Sequence, residues 1–232
     1  MNPIPIWQEK LSPGEWLRGG ALSVLYVALF PFLMAWVQRN AWEELPVAES
    51  NVVYYLVSVL LGFVLFSGLW KRNLDRLFSC PGKNLKSIAA ALVAWIALDV
   101  LVRQIPLPVR NPNESGYALE YLLSPGATGM IVVVLMPIVE ELLFRGLLFG
   151  GVRRYSRGAA YLLSMGPFAL YCVWQFVFSY GRMDMRYLLL AVQYLPAGVL
   201  LAWCYERGGS LWSAVLLHMA INGLTLLRIV AG

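Results

Sequence analysis

The chain has 232 residues, of which 59% are hydrophobic and only 13% are charged. Soluble domains usually carry about a quarter charged residues, so this composition excludes an ordinary soluble globule, a disordered chain and a fibrous repeat. The net charge of +5 comes from basic residues in short loops between apolar runs. That pattern favours a membrane protein oriented in a lipid bilayer, with no nucleic acid partner.

Seven apolar segments are long enough, or nearly so, to cross a bilayer as helices. They cover residues 19–38, 51–70, 87–102, 126–152, 158–180, 187–205 and 210–227. Five of them contain no charge, whereas the third and the fourth contain ionisable residues. Pro137 leaves open whether the fourth segment is one helix or two. The sequence therefore predicts an all-α transmembrane helical bundle of about seven or eight spans.

The basic residues fall in every second connection between these segments, which by the positive-inside rule predicts the orientation. They are Lys10 and Arg18, then Lys71, Arg72, Arg76, Lys83 and Lys86, then Arg153, Arg154 and Arg157, and finally Arg207. We expect residues 1–18 to form a cytoplasmic N-terminal segment without a removable signal peptide. Residues 19–230, which contain no internal repeat, are expected to form a single transmembrane domain.

Metal-ligating residue types are sparse and scattered. The cysteines Cys80, Cys172 and Cys204 form neither a CxxC pair nor a disulfide framework, and His218 is the single histidine. A zinc site needs three or four His, Cys, Asp or Glu ligands at close spacing. The sequence therefore predicts neither a bound metal nor a cofactor.

Ionisable residues inside a spanning helix cost about 3 kcal/mol each, so they usually have a partner or a function. Asp99 lies four residues before Arg103, and we expect these two to form a structural pair. Glu141 lies four residues before Arg145, which is the favoured geometry for a helical ion pair. The side chain of Glu140 points about 100° away around the helix. Its carboxylate is therefore not part of this pair and is available for another role. A desolvated carboxylate suits a general base, and a structural ion triad is the alternative.

The last segment contains the sequence LLHMAINGL, in which His218 and Asn222 are four residues apart. They therefore share one helical face. Imidazole and carboxamide can donate hydrogen bonds to a developing oxyanion in a dry site. Helix–helix hydrogen bonds, which both residue types make in membranes, are the alternative. An ExxxR pair and an HxxxN pair in one chain together favour a shared site.

These residues resemble a known family. The run EELLFRG from Glu140 resembles the EExxxR motif of the CPBP intramembrane proteases, also called the Abi family. That family includes the CAAX prenyl endopeptidases and bacteriocin-processing relatives. The sequence GGSLWSAVLLHMAIN resembles its last motif, HxxxN, and the resemblance covers a protease-like core at residues 126–226. It implies hydrolysis of a peptide bond in a membrane-associated protein or peptide, in the cell (inner) membrane and without a metal.

The resemblance also implies roles for individual residues. In the family, the first glutamate and a histidine from a middle FxxxH motif activate a water, and the later histidine and asparagine hold the oxyanion. By this resemblance, Glu140 is the base of this chain, while His218 and Asn222 are the oxyanion donors. Arg145 then orients Glu141.

The middle motif departs from the family pattern, because FALYC places Cys172 where histidine is expected. Gln175 is expected on roughly the same helix face, where it could bind a water but not take its proton. Three interpretations remain open: Glu140 works alone while Cys172 lines the pocket, Cys172 is itself a nucleophile, or catalysis is lost. A chain without catalysis would be a bacteriocin-immunity or scaffold protein. A small membrane transporter is a further alternative, although no inverted repeat supports it.

Overall fold

The computed structural model describes residues 11–29, 32–33, 36, 47–178 and 183–231. Its regular structure is helical throughout, and the described part of the chain contains no strand, which confirms the all-α prediction. The helices are α1 (Pro13–Val24, continued by a π-helical turn Leu25–Leu29), α2 (Val47–Leu65), α3 (Ser67–Ser79), α4 (Pro81–Val102), α5 (Pro112–Leu123), α6 (125–153), α7 (Arg157–Tyr171), α8 (Leu195–Gly208) and α9 (Leu211–Ala231). Short 3₁₀ helices cover Trp174–Val177 and Met185–Tyr194.

Local capping residues set several helix starts. Ser12 and Glu15 form a capping box at the start of α1, with Pro13 in the first turn. Asn111 caps α5, whose first residue is a proline, and Ser156 caps α7. Each cap side chain accepts a hydrogen bond from a backbone N–H that would otherwise lack a partner.

Within the described residues, three helices are long and apolar enough to cross a membrane: Pro81–Val102, Met185–Gly208 and Leu211–Ala231. A fourth candidate is a bent pair, Ser50–Leu65 and Ser67–Ser79, whose axes differ by 86°. The bend falls inside the second predicted span, 51–70, which is therefore not one straight helix. These helices support a membrane location, and the count of seven or eight spans stays a prediction. The later part of the first predicted span, and the connection after it at residues 39–50, lie largely outside the described residues.

Helix α6 carries the fourth predicted span and is continuous through Pro137. It consists of Pro125–Gly129, the π-helical Met130–Leu135, the α-helical Met136–Glu141, the π-helical Leu142–Phe149 and Gly150–Arg153. A proline ring clashes with the carbonyl four residues earlier in an α-helix. The wide π turn directly before Pro137 accommodates this clash without a break.

The fifth predicted span, 158–180, is shorter as a helix than expected. α7 ends at Tyr171, and after two turn residues the chain forms the 3₁₀ helix Trp174–Val177. Cys172 and Gln175 therefore do not lie on one continuous helix, contrary to the expectation, although both line the same cavity. The apolar sequence continues past the helix end, so hydropathy alone did not mark the boundary.

A polar network fixes the start of α9. Gly209 has φ +93°, a conformation that favours glycine, and it ends α8. The backbone N–H of Leu211 donates to Asn73 Oδ1 at 2.7 Å, and Ser210 Oγ donates to the Asn73 carbonyl at 2.7 Å. α9 then packs against α3, α4, α5, α6 and α8, which places its polar residues inside the bundle.

Candidate active site

The three charged residues in the middle of α6 are almost completely buried. Glu140 is 2% exposed, while Glu141 and Arg145 are 0% exposed. Arg145 Nη1 lies 2.7 Å from Glu141 Oε1, so the predicted ion pair is present. Arg145 Nη2 donates to the Gly198 carbonyl at 2.9 Å, and its guanidinium lies 4.5 Å from the centre of the Phe168 ring. Arg145 therefore joins α6 to α7 and α8.

His218 of α9 links the two glutamates. Its Nδ1 lies 2.8 Å from Glu141 Oε1, and its Nε2 lies 3.8 Å from Glu140 Oε2. An ionised Glu141 can only accept hydrogen bonds, so Nδ1 carries a proton. Edge-to-face packing on Phe168, with ring centres 5.7 Å apart, holds the ring in place.

Asn222 lies one turn beyond His218 and contacts a different part of α6. Its side-chain Nδ2 donates to the Val132 carbonyl at 2.8 Å. The amide group has two N–H donors, and this bond uses one of them. The HxxxN face of α9 thus combines a packing contact with a donor that remains for a ligand.

Cys172 directly follows the end of α7. Its backbone carbonyl accepts a hydrogen bond from Asn113 Nδ2 at 3.1 Å, so the position is held from α5. The side chain is half-buried, and the structure gives the thiol no hydrogen-bond partner among the described residues.

A cavity of about 480 Å³ brings most of the predicted site residues together. Its lining includes Glu140, Cys172, His218 and Asn222, and Gln175 also contributes. Glu141 and Arg145 do not line it and lie behind the wall. A cavity of this size is typical of ligand sites in proteins. The predicted residues thus present the Glu140 carboxylate, the Cys172 thiol, the His218 imidazole and the Asn222 carboxamide to a shared space.

Tyr26 is a site residue that the sequence did not indicate. It is fully buried in the π-helical turn after α1, and its hydroxyl donates to Glu140 Oε1 at 3.5 Å. Its ring stacks between Tyr54 and Tyr171, with ring centres 5.8 and 5.7 Å away. The Tyr54 hydroxyl also donates to the Tyr26 carbonyl at 2.8 Å. Tyr26 is 114 residues from Glu140, and no local pattern links two positions at that separation.

The other predicted ion pair also lines this cavity. Arg103 Nε is 2.7 Å from Asp99 Oδ2, which confirms the expected pair. The structure adds Glu114 of α5 and Arg228 of α9, both of which contact this pair. Four charged side chains therefore connect α4, α5 and α9.

Comparison with known proteins agrees with the motifs. Residues 123–224 match the family model described as Type II CAAX prenyl endopeptidase Rce1-like. The match confirms the resemblance predicted for residues 126–226 and includes all six predicted site residues. No curated protein and no solved structure was found to match the chain.

Proposed function

We propose that the chain is an intramembrane endopeptidase of the CPBP family, because residues 123–224 match the CAAX prenyl endopeptidase family model. Its substrate is a membrane-associated protein or peptide, and a water activated by Glu140 hydrolyses one peptide bond. The observation that carries the proposal is the position of Glu140. It is a buried carboxylate on the cavity wall, with Tyr26 on one oxygen and His218 near the other.

In the proposed reaction, Glu140 removes a proton from a water while the oxygen of that water attacks the scissile carbonyl. The resulting tetrahedral intermediate carries a negative oxygen. Glu140 then returns the proton to the leaving nitrogen, which leaves a free carboxylic acid and a free amine. Tyr26 supports this role because its hydroxyl occupies Oε1, which leaves Oε2 to face the water.

His218 and Asn222 are proposed to stabilise the oxyanion. For His218 this role requires a ring protonated on both nitrogens, with Nδ1 bound to Glu141 and Nε2 turned toward the oxyanion. Glu141 orients the ring, and Arg145 in turn holds Glu141. Asn222 contributes the N–H that is not bound to Val132. This chain of contacts resembles the way in which a third residue orients the histidine of a hydrolytic triad.

We propose that Cys172 lines the pocket and takes no covalent part. The Tyr26 and His218 contacts of Glu140 support this reading, since they provide polar partners that do not depend on position 172. Cysteine in place of histidine also favours a second candidate function. In that reading the chain has lost catalysis and acts as a bacteriocin-immunity or scaffold protein.

We also propose that about seven or eight spans lie in the cell (inner) membrane, with the N-terminal segment in the cytoplasm. The alternating basic connections support this orientation.

The deciding experiment compares the full chain with its Glu140→Gln variant in the membranes of a bacterial host. The isolated membranes are incubated in H₂¹⁸O, and new termini of the host membrane proteins are identified by mass spectrometry. Hydrolysis by the wild type should produce new C-termini that carry one ¹⁸O, and these should be missing with Glu140→Gln. Asp75→Asn is the matched control, because Asp75 is an exposed carboxylate outside the cavity. Identical termini with wild type and Glu140→Gln would favour the non-catalytic function.

A further inference from the structure

Helix α5 forms a wall of the cavity, and the proposed reaction uses none of its side chains. The residues of α5 that line the cavity are Pro112, Asn113, Glu114, Gly116, Tyr117 and Glu120. Their spacing places Asn113, Tyr117 and Glu120 along one helical face. The other face exposes Leu119, Leu122 and Leu123 at 58%, 79% and 77%. α5 therefore turns its polar side toward the cavity and an apolar side outward.

Most charges around the cavity cancel locally. Arg103 Nη1 lies 2.6 Å from Glu114 Oε1, and Arg228 Nη1 lies 2.8 Å from Asp99 Oδ2. Together with the Arg103–Asp99 contact, these pairs balance two acids with two bases. This part of the lining therefore has no net charge to offer a ligand.

Glu120 is different, because its carboxylate has neither an ion pair nor a hydrogen bond to any residue that the structure describes. The side chain is half-buried, and this burial raises the pKa of Glu120 above its usual range. A carboxylate that is partly removed from water and has no cation beside it destabilises the folded protein. A ligand that supplies a positive charge compensates for this cost through a charge-assisted hydrogen bond.

Glu120 and Glu140 line the same cavity, and the Tyr55 phenol lies within electrostatic reach of both. A sphere of 480 Å³ is about 10 Å across, which gives the scale of the cavity. An extended chain rises about 3.3 Å per residue, so about three substrate residues fit inside it. A side chain that reaches Glu120 therefore belongs to a residue close to the scissile bond.

We infer that Glu120 selects substrates that carry a lysine or arginine within about three residues of the bond to be cleaved. The inference rests on the proposed endopeptidase function and adds its substrate class. Glu120 acts as a specificity-determining residue and takes no part in proton transfer. Charge-assisted hydrogen bonds are roughly twice as strong as neutral ones, so we expect about 10- to 100-fold tighter binding of cationic peptides.

The test uses the full-length Glu140→Gln variant in lipid nanodiscs, so that binding is measured without cleavage. The probes are fluorescent alanine-rich decapeptides in which one residue, moved along the chain, is lysine, norleucine or glutamate. Norleucine keeps the lysine stem without its charge. At the best position, lysine peptides should bind at least about 10-fold tighter than norleucine peptides.

Adding Glu120→Gln should remove this difference, and Glu120→Lys should reverse it in favour of glutamate peptides. Asp75→Asn should leave it unchanged. Equal binding of lysine and norleucine peptides, no binding of any lysine peptide, or a preference that survives Glu120→Gln would overturn the inference. Since Glu120→Gln is isosteric, the inference stays testable if Glu120→Lys does not fold.

Cleavage of the same peptides by the wild type separates the two proposals. A Glu120-dependent preference for lysine without any cleavage would support the specificity and count against the protease function. Cleavage that depends on Glu140 but not on the charge of the peptide would support the protease function and count against the specificity.

Discussion

Replacing Glu141 with glutamine should destabilise the protein far more than the same change at Glu140. Glu141 Oε1 is 2.7 Å from Arg145 Nη1 and 2.8 Å from His218 Nδ1, and both Glu141 and Arg145 are fully buried. Glutamine keeps the volume of the side chain and removes its charge. The guanidinium of Arg145 would then be a buried cation without a counter-ion.

The contacts of Arg145 indicate how much free energy of unfolding Glu141→Gln should lose. Breaking a buried ion pair by removing one partner costs about 3–5 kcal/mol. The Gly198 carbonyl and the Phe168 ring continue to contact Arg145, so we expect the lower end of that range, about 3 kcal/mol. Glu140 contacts Tyr26 at 3.5 Å and His218 at 3.8 Å, both long distances. Loss of these contacts in Glu140→Gln should therefore cost at most about 1 kcal/mol.

The free energy of unfolding is measured by titrating purified protein in mixed micelles with a denaturing detergent. The double variant Glu141→Gln/Arg145→Met is the matched control, because it removes both charges and leaves no buried cation unpaired. It should recover part of the stability that the single variant loses. Equal losses for Glu140→Gln and Glu141→Gln, or a double variant no better than Glu141→Gln alone, would refute the reasoning.

Two further predictions concern the oxyanion donors and the topology. His218→Ala and Asn222→Ala should each lower kcat by about 10²–10³ with little change in KM. The double variant should lose less than the product, because both groups act on one intermediate; unchanged turnover would show that this face only packs helices. In a chain without its native cysteines, an impermeant thiol reagent applied outside the cell should label Arg110→Cys and spare Lys83→Cys. Both positions are exposed, so the opposite labelling pattern would reverse the orientation.

Local patterns in the sequence predicted the contacts that a single helix makes. The pairs Glu141–Arg145 and Asp99–Arg103 are each four residues apart, and both are present as ion pairs. Such pairs depend only on helical periodicity, and charged residues in an apolar segment have few other partners. The all-α class followed from the apolar composition, because a helix forms its backbone hydrogen bonds within itself and can therefore cross lipid.

The motifs predicted that the ExxxR and HxxxN segments share a site, whereas the individual contacts between helices could not be predicted from the sequence. His218 and Asn222 were expected to share a site with Glu140, but the contacts of the His218 ring with both Glu140 and Glu141 were not predicted. Periodicity shows which face of a helix a residue occupies and does not show which helix packs on that face. The same limit explains why Tyr26, on a different helix from Glu140, carried no signal.

Helix boundaries were also missed where the apolar sequence continues. The bend after α2 and the end of α7 at Tyr171 both fall inside uniformly apolar runs. Hydropathy measures the preference for lipid over water, which is the same on both sides of a bend. The direction of the helix axis depends on packing, such as the bond from Trp70 Nε1 to the Gly62 carbonyl across the bend.

The variant Cys172→His tests whether cysteine in place of the family's histidine changed the catalytic mechanism or only removed one partner of Glu140. Cys172 lines the same cavity as Glu140, and Asn113 holds its backbone carbonyl at 3.1 Å. An imidazole at this position can extend into the cavity and should preserve or raise activity, since a positioned acid–base group contributes about 10²–10⁴-fold in rate. Cys172→Ser and Cys172→Ala should retain most activity if Glu140 works through water. Mass spectrometry of enzyme trapped during turnover then distinguishes the mechanisms. An acyl group on Cys172, together with an inactive Cys172→Ala, would make the thiol the nucleophile and would contradict the water mechanism.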